Sequence, residues 1–149
     1  MATGGDESVG VDNGVVGVWG SLLLVDDEVH ITDVCGSRLR AAGFEVRTAT
    51  DVASAMAFAR ERLPDLVVSD VEMPGGTGIE LADALSELPG GCRVPVILLT
   101  GRGHLVEREA AERMNVRGLL AKPFSARELV NRVRSLLGMS AGGGGEVAA

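Results

Sequence analysis

Short apolar runs alternate along the chain with longer segments in which apolar residues recur every three or four positions. A short apolar run is typical of a strand that is buried on both faces, and the wider spacing is typical of an amphipathic helix. A helical segment follows each predicted strand, and the strands are residues 21–25, 44–48, 66–70, 94–100 and 118–122. This alternation predicts an α/β fold in which a parallel sheet carries helices on both faces.

Several residues mark the ends of the predicted elements. Gly43 follows the first helix, at a position where the left-handed conformation favours glycine. Asp51 is a predicted N-cap of the second helix, and Ser125, followed three residues later by a glutamate, predicts a capping box for the last helix. The fourth helix is predicted near residues 105–114. Apolar and polar residues alternate over residues 44–48, which predicts a strand at the edge of the sheet.

Both ends of the chain are rich in glycine and poor in residues that could build a core. They predict flexible tails over residues 1–20 and 139–149, and one domain over residues 21–138. No apolar segment approaches the roughly 20 residues of a membrane span, and the first residues lack the basic start and apolar core of a secretory signal. We therefore expect a cytoplasmic protein without membrane insertion, whose Cys35 and Cys92 are free thiols.

Composition and charge narrow the function classes. Hydrophobic residues make up 46% of the chain and aromatic residues only 3%, so the core should be aliphatic. The formal net charge is −7. Because nucleic-acid binding depends on positive charge facing the phosphates, this balance predicts no direct nucleic-acid binding.

Polar side chains stand where four of the predicted strands end. They are Asp26 and Asp27 after the first strand, Asp70 on the third, Thr100 on the fourth and Lys122 on the last. Parallel strands bring their carboxyl ends to one edge of a sheet, where ligands bind. Neighbouring carboxylates repel one another unless a cation intervenes, and oxygen ligands suit Mg²⁺. An aspartate can also accept a phosphoryl group, which needs positive charge and donors against the phosphoryl oxygens.

Lys122 is the only lysine among 14 basic residues. A compact ammonium can approach a phosphoryl oxygen as a point charge where a planar guanidinium would not fit. The alternative is an ordinary lysine that extends past a strand end into solvent. Its place beside Pro123 and the ends of three other predicted strands favours the first interpretation.

Four ordered motifs together resemble the receiver domain of bacterial two-component response regulators, of the chemotaxis-like single-domain type. They are Val25-Asp26-Asp27-Glu28, Asp70-Val71-Glu72-Met73-Pro74 with Gly78 following, Leu99-Thr100-Gly101, and Lys122-Pro123-Phe124. The resemblance covers about residues 21–137. It implies the flavodoxin-like doubly wound fold, with five parallel strands in the order 2-1-3-4-5 and five helices.

The resemblance also implies a role for each site residue. Asp70 corresponds to the phosphoacceptor, and Thr100 and Lys122 would contact the phosphoryl oxygens. Pro123 would follow a cis peptide bond. The implied Mg²⁺ ligands are Asp27, Asp70 and the backbone carbonyl of Glu72, with Asp26 acting through water.

One position departs from the family pattern. Receivers commonly carry an aromatic residue three positions before the lysine, where it moves on phosphorylation, and this chain has Leu119 there. We expect the switch to work mainly through Thr100 and its loop. Glu72 and Arg102 occupy positions that flank the phosphoryl group in this family, and their opposite charges suggest a pair that would slow hydrolysis.

The implied function is a signalling switch that takes a phosphoryl group from a sensor histidine kinase or histidine phosphotransfer protein. It would catalyse only its own Mg²⁺-dependent phosphotransfer and dephosphorylation, and would signal through an unknown downstream protein. One alternative is a haloacid-dehalogenase-type aspartyl phosphatase, which would need an Asp-x-Asp motif on the first strand and a cap insertion. A second alternative is a receiver-like binding module that no longer uses phosphorylation.

Overall fold

Five of the apolar segments form one parallel sheet, as the alternating pattern predicts. The strands are β1 (Ser21–Val25), β2 (Glu45–Ala49), β3 (Leu66–Asp70), β4 (Val96–Thr100) and β5 (Val116–Ala121). Their order across the sheet is β2-β1-β3-β4-β5, and every neighbouring pair is parallel. The predicted order 2-1-3-4-5 is confirmed.

The computed structural model of the chain describes residues 19–101 and 104–138. The tails predicted over residues 1–20 and 139–149 lie outside the described residues, apart from Trp19 and Gly20, and so does Arg102. None of the helices in the described ranges has the length and apolar character needed to cross a membrane.

The described part of the chain has five α-helices, which divide between the two faces of the sheet. They are α1 (Val29–Ala41), α2 (Val52–Glu61), α3 (Gly78–Ser86), α4 (His104–Ala111) and α5 (Ala126–Leu136), with a short 3-10 helix at Gly91–Arg93. Successive side chains of a strand point to opposite faces. Leu23 and Val25 therefore pack in one buried cluster with α2 and α3, whereas Leu22 and Leu24 pack in a second cluster with α1 and α5.

Burial across the sheet follows the position of each strand. Every residue of β3 and β4 is buried, as expected for central strands with helices on both faces. In β2 the buried positions are Val46 and Ala49, while Glu45 and Thr48 are exposed. The prediction of an edge strand here is confirmed.

The predicted helix ends are also present. Gly43 has a φ of 104°, and the indole of Trp19 lies against it where a side chain would otherwise stand. The Asp51 carboxylate accepts a hydrogen bond from the Ser54 backbone N–H at 2.8 Å. Ser125 and Glu128 form the expected capping box at the start of α5.

A short hairpin after β3 fixes the direction in which the chain leaves Asp70. Glu72–Met73 pairs antiparallel with Gly76–Thr77, and α3 begins at the next residue. Thr77 and Glu80 form a capping box there, which the sequence analysis did not predict. The hairpin and the capped helix together hold the Asp70 turn in a defined geometry.

Candidate functional site

The carboxyl ends of four strands converge on one cavity. Asp26 and Asp27 follow β1, Asp70 ends β3, Thr100 ends β4 and Lys122 follows β5. The cavity has a volume of about 280 Å³ and is lined by Glu28, Asp70, Val71, Glu72, Thr100, Gly101 and Lys122. The parallel sheet therefore brings together side chains that lie as much as 96 positions apart in the sequence.

Three carboxylates form a cluster at the base of this site. Asp26 is completely buried, Asp70 is 8% exposed, and Asp27 is exposed. One carboxylate oxygen from each residue lies within 4.8 Å of the others. Because the donors are all oxygens and one of them faces solvent, the set fits a Mg²⁺ ion that keeps part of its water shell.

Lys122 lies among carboxylates. Its Nζ is 3.2 Å from Asp26 Oδ2, 3.2 Å from Glu28 Oε1 and 3.3 Å from Asp70 Oδ1. The peptide bond between Lys122 and Pro123 is cis, as the resemblance implied. A lysine that merely extended into solvent would not make these contacts, so the geometry favours the interpretation of Lys122 as a site residue.

The burial of these charges shifts their pKa values. Burial raises the pKa of Asp26 above its usual range, because the hydrogen bond from the Glu28 backbone N–H and the nearby ammonium offset only part of the lost solvation. Burial also raises the pKa of Asp70, and repulsion by Asp26 adds to it. Burial alone would lower the pKa of Lys122, but attraction to Asp26 and Asp70 outweighs it and raises that pKa.

Removing the charge of Asp70 should stabilise the fold. Its raised pKa means that the folded protein holds this proton more tightly than the unfolded chain does, so the ionised form costs stability and stability falls as pH rises through the raised value. We expect Asp70→Asn to increase the free energy of unfolding at pH 7 by on the order of 1 kcal/mol. In urea titrations the gain should shrink as the pH is lowered toward about 4, the ordinary pKa of aspartate.

The matched control is Asp33→Asn, which changes an exposed aspartate of α1. It should alter the free energy of unfolding by less than about 0.5 kcal/mol at either pH. A less stable Asp70→Asn variant at pH 7 would contradict the prediction.

Two of the remaining predicted residues, Thr100 and Glu72, line the same cavity. Thr100 is buried and lines it, and the exposed Glu72 stands two residues beyond Asp70. Leu119 is partly buried and packs against the cluster formed with α2 and α3, so an aliphatic side chain occupies the usual aromatic position. The Leu119 carbonyl accepts a hydrogen bond from Arg132 Nη1 at 3.2 Å.

Glu28 is a member of the site that was not predicted from the sequence. Glu28 was quoted as part of a motif but received no role, although its carboxylate contacts Lys122 at 3.2 Å. It occupies the N-cap position of α1 without a side-chain capping bond, which leaves its carboxylate available to the lysine. Its place directly after the acidic pair was the signal that could have identified it.

The chain matches known proteins over most of its length. The family model described as the response regulator receiver domain matches residues 22–134. The probable transcriptional regulatory protein TcrX of Mycobacterium tuberculosis is 39% identical over 118 residues, which are 78% of this chain and 49% of TcrX. The phosphate regulon transcriptional regulatory protein PhoB of Rhizobium meliloti is 38% identical over 116 residues, which are 78% of this chain and 51% of PhoB.

Two solved structures of response regulators have a similar fold. The chemotaxis response regulator CheY4 of Vibrio cholerae superimposes with a TM-score of 0.73 at 30% sequence identity, covering 81% of this chain and 99% of CheY4. The receiver domain of the Francisella response regulator 1452 superimposes with a TM-score of 0.71 at 26% identity, covering 80% of this chain and 97% of that domain.

The partner prediction needs correction. The predicted partners were a sensor histidine kinase or histidine phosphotransfer protein and an unknown downstream protein, and direct binding of nucleic acid was excluded. The curated relatives are transcriptional regulatory proteins, and the chain spans about half of their length. The exclusion is therefore wrong, because a net charge of −7 describes these 149 residues and carries no information about the other half of such a regulator.

The strand order, the acidic cluster beside a lysine and the match over residues 22–134 agree with one another. The chain belongs to the family of response regulator receiver domains.

Proposed function

We propose that this receiver domain, over residues 21–138, is a phosphoacceptor switch of a two-component system and that Asp70 is the acceptor. One observation carries the proposal: the Asp70 carboxylate ends a fully buried strand with Lys122 Nζ 3.3 Å from its Oδ1. The strand fixes the position of the nucleophile, and the ammonium supplies positive charge where phosphoryl oxygens would lie. Both are what an in-line phosphoryl transfer requires of a protein.

The proposed step transfers one phosphoryl group. An oxygen of the ionised Asp70 carboxylate attacks phosphorus and forms a P–O bond, while the bond from phosphorus to the donor breaks. The donor is a phosphorylated histidine of another protein or a small acyl phosphate, and it leaves with the electron pair of the broken bond. Lys122 and the Thr100 hydroxyl stabilise the equatorial oxygens, on which negative charge is concentrated.

Three carboxylates and one backbone carbonyl could hold the cation that this reaction uses. Asp27 and Asp70 would be direct ligands together with the Glu72 carbonyl, and Asp26 would act through water. Mg²⁺ bound there would supply further positive charge against the phosphoryl oxygens. Asp26 also has a role of its own, because its carboxylate lies 3.2 Å from Lys122 Nζ and so helps to hold the ammonium beside Asp70.

The test is phosphorylation by acetyl phosphate in the presence of Mg²⁺, followed by intact mass measurement. We expect a single acid-labile phosphoryl adduct in the parent chain and in Asp33→Asn, and none in Asp70→Asn, because an amide oxygen is a poor nucleophile. Omission of Mg²⁺ should also abolish the adduct. A persistent adduct in Asp70→Asn would show that another residue is the acceptor.

The same assay separates the two alternatives. An aspartyl phosphatase would consume acetyl phosphate through many turnovers, and a module that has lost phosphorylation would neither label nor turn over. The phosphatase interpretation lacks support in the fold, because Asp70 lies on β3 and only a short hairpin separates β3 from α3. There is no room in that connection for a cap insertion.

A further inference from the structure

A second cavity lies between α1 and α5, on the face of the sheet opposite α2 and α3. Its volume is about 480 Å³, larger than the cavity at Asp70. Arg38 of α1 and Arg127 and Arg134 of α5 line it, and Ala42 and Val130 contribute apolar surface. We call this cavity the arginine groove.

The arginines of the groove have no acidic partner in the part of the chain that the structure describes. Among the described residues, no carboxylate lies within ion-pair distance of Arg38, Arg127 or Arg134, whereas Arg113 pairs with Asp83 at 3.0 Å. Three guanidinium groups therefore line one groove in a chain whose net charge is −7. Such a site favours a ligand that offers several carboxylates, because charge-assisted hydrogen bonds to guanidinium are among the stronger ones in proteins.

The first 18 residues of the chain have this chemistry. They contain Asp6, Glu7 and Asp12 and no lysine, arginine or histidine. They also contain five valines, which suit the apolar part of the groove, at positions 9, 11, 15, 16 and 18. Charge and hydropathy are therefore both complementary to the groove.

Residues 1–18 are followed by Trp19, which contacts the domain beside the arginine groove. The Trp19 backbone N–H donates to the Gly43 carbonyl at 2.9 Å, and Gly43 follows Ala42, which lines the groove. Asp12 lies seven positions before Trp19, so an extended chain carries it up to about 23 Å. Arg127 and Arg134 are seven positions apart on a helix, which is only about 10 Å. The segment therefore starts beside the groove and is longer, when extended, than the spacing between Arg127 and Arg134.

We propose that residues 1–18 bind the arginine groove of the same molecule, with the carboxylates of Asp6, Glu7 and Asp12 against the three guanidinium groups. The domain thus covers its own basic groove. An acidic partner that used this surface would first have to displace the segment. The proposal is independent of phosphorylation, because no residue of the groove lines the cavity at Asp70.

The test uses paramagnetic broadening in the full chain. A nitroxide is attached at Asn13→Cys in a Cys92→Ser background, since Cys35 is buried and Cys92 is exposed. We expect the largest loss of amide intensity at Arg38, Ala42, Val130 and Arg134. The loss should disappear when Asp6→Asn, Glu7→Gln and Asp12→Asn are combined, and at 1 M salt, where the screening length falls to about 3 Å.

A matched variant controls for total charge. Arg38→Gln, Arg127→Gln and Arg134→Gln together should abolish the broadening, whereas Arg60→Gln, Arg93→Gln and Arg117→Gln, which remove three arginines outside the groove, should leave it unchanged. A final variant reverses the charges on both sides. It carries glutamates in place of Arg38, Arg127 and Arg134 and lysines in place of Asp6, Glu7 and Asp12. The opposite charges still match, so this variant should show the same broadening as the parent chain.

Two outcomes would overturn the proposal. Equal broadening with the neutralised segment would show contact without charge recognition. The second is broadening in a mixture of two chains, one enriched in ¹⁵N without the nitroxide and the other carrying the nitroxide without ¹⁵N. It would show that the groove binds the segment of a second copy.

Discussion

Lys122→Arg is expected to slow phosphorylation by acetyl phosphate on the order of 100-fold, although the positive charge is retained. The Lys122 side chain is only 22% exposed, and its Nζ lies within 3.3 Å of three carboxylate oxygens. A guanidinium is planar and larger, so it can satisfy two of these oxygens in its own plane but cannot stand in the same position as a point charge. It would occupy the space that the phosphoryl group needs beside Asp70.

The measurement is the initial rate of adduct formation with Mg²⁺ present. Arg117→Lys is the matched control, because it makes the reverse exchange at an exposed position of β5 and should leave the rate unchanged. A rate in Lys122→Arg within about twofold of the parent would show that charge alone suffices and that the shape of the ammonium is irrelevant.

Gly78→Ala is expected to destabilise the domain by about 3 kcal/mol and to slow phosphorylation as well. A Cβ at this position would lie 2.5 Å from the backbone oxygen of Asp70, 2.8 Å from Leu98 Cδ2 and 3.1 Å from Ser69 Oγ. The Gly78 N–H also donates to the Val71 carbonyl at 2.8 Å, so the helix start cannot simply move away. The new methyl group would displace the backbone of the phosphoacceptor itself.

Urea unfolding and the acetyl phosphate assay should therefore change together in this variant. Gly101→Ala is the control for stability, because a Cβ there would meet nothing within 4 Å. It should cost less than about 1 kcal/mol. A stable Gly78→Ala variant with a normal labelling rate would show that α3 can shift without cost.

The strands and helix ends that depend on a few neighbouring residues could be predicted from the sequence. The strand positions, the Gly43 turn and the Ser125 capping box are each determined by a few neighbouring residues. The fourth helix was predicted to run near residues 105–114 but ends at Ala111. Arg113, two residues further on, makes a two-point ion pair with Asp83, and a contact between side chains 30 positions apart has no local signature.

The candidate site likewise has residues that the sequence pattern predicts and a contact between distant residues that it does not predict. Asp26, Asp27, Asp70 and Lys122 could be grouped from the sequence because parallel strands end at a common edge. The Glu28 contact with Lys122 joins residues 94 positions apart and depends on how a side chain leaves the start of α1, so the pattern did not reveal it. The arginine groove was invisible for the same reason, since its charges come from two helices at opposite ends of the sequence.

The contact between Trp19 and Gly43 has a spectroscopic consequence. The chain has one tryptophan and no tyrosine, so its near-ultraviolet emission comes from a single indole, 57% exposed, at the amino-terminal end of β1. Asp26 lies at the other end of this strand, roughly 23 Å away at the usual rise per residue. The tryptophan emission should therefore not change when Asp70 is phosphorylated. It should change when a segment or partner binds over Ala42 and Gly43. The protein carries its own fluorescent reporter for the arginine groove.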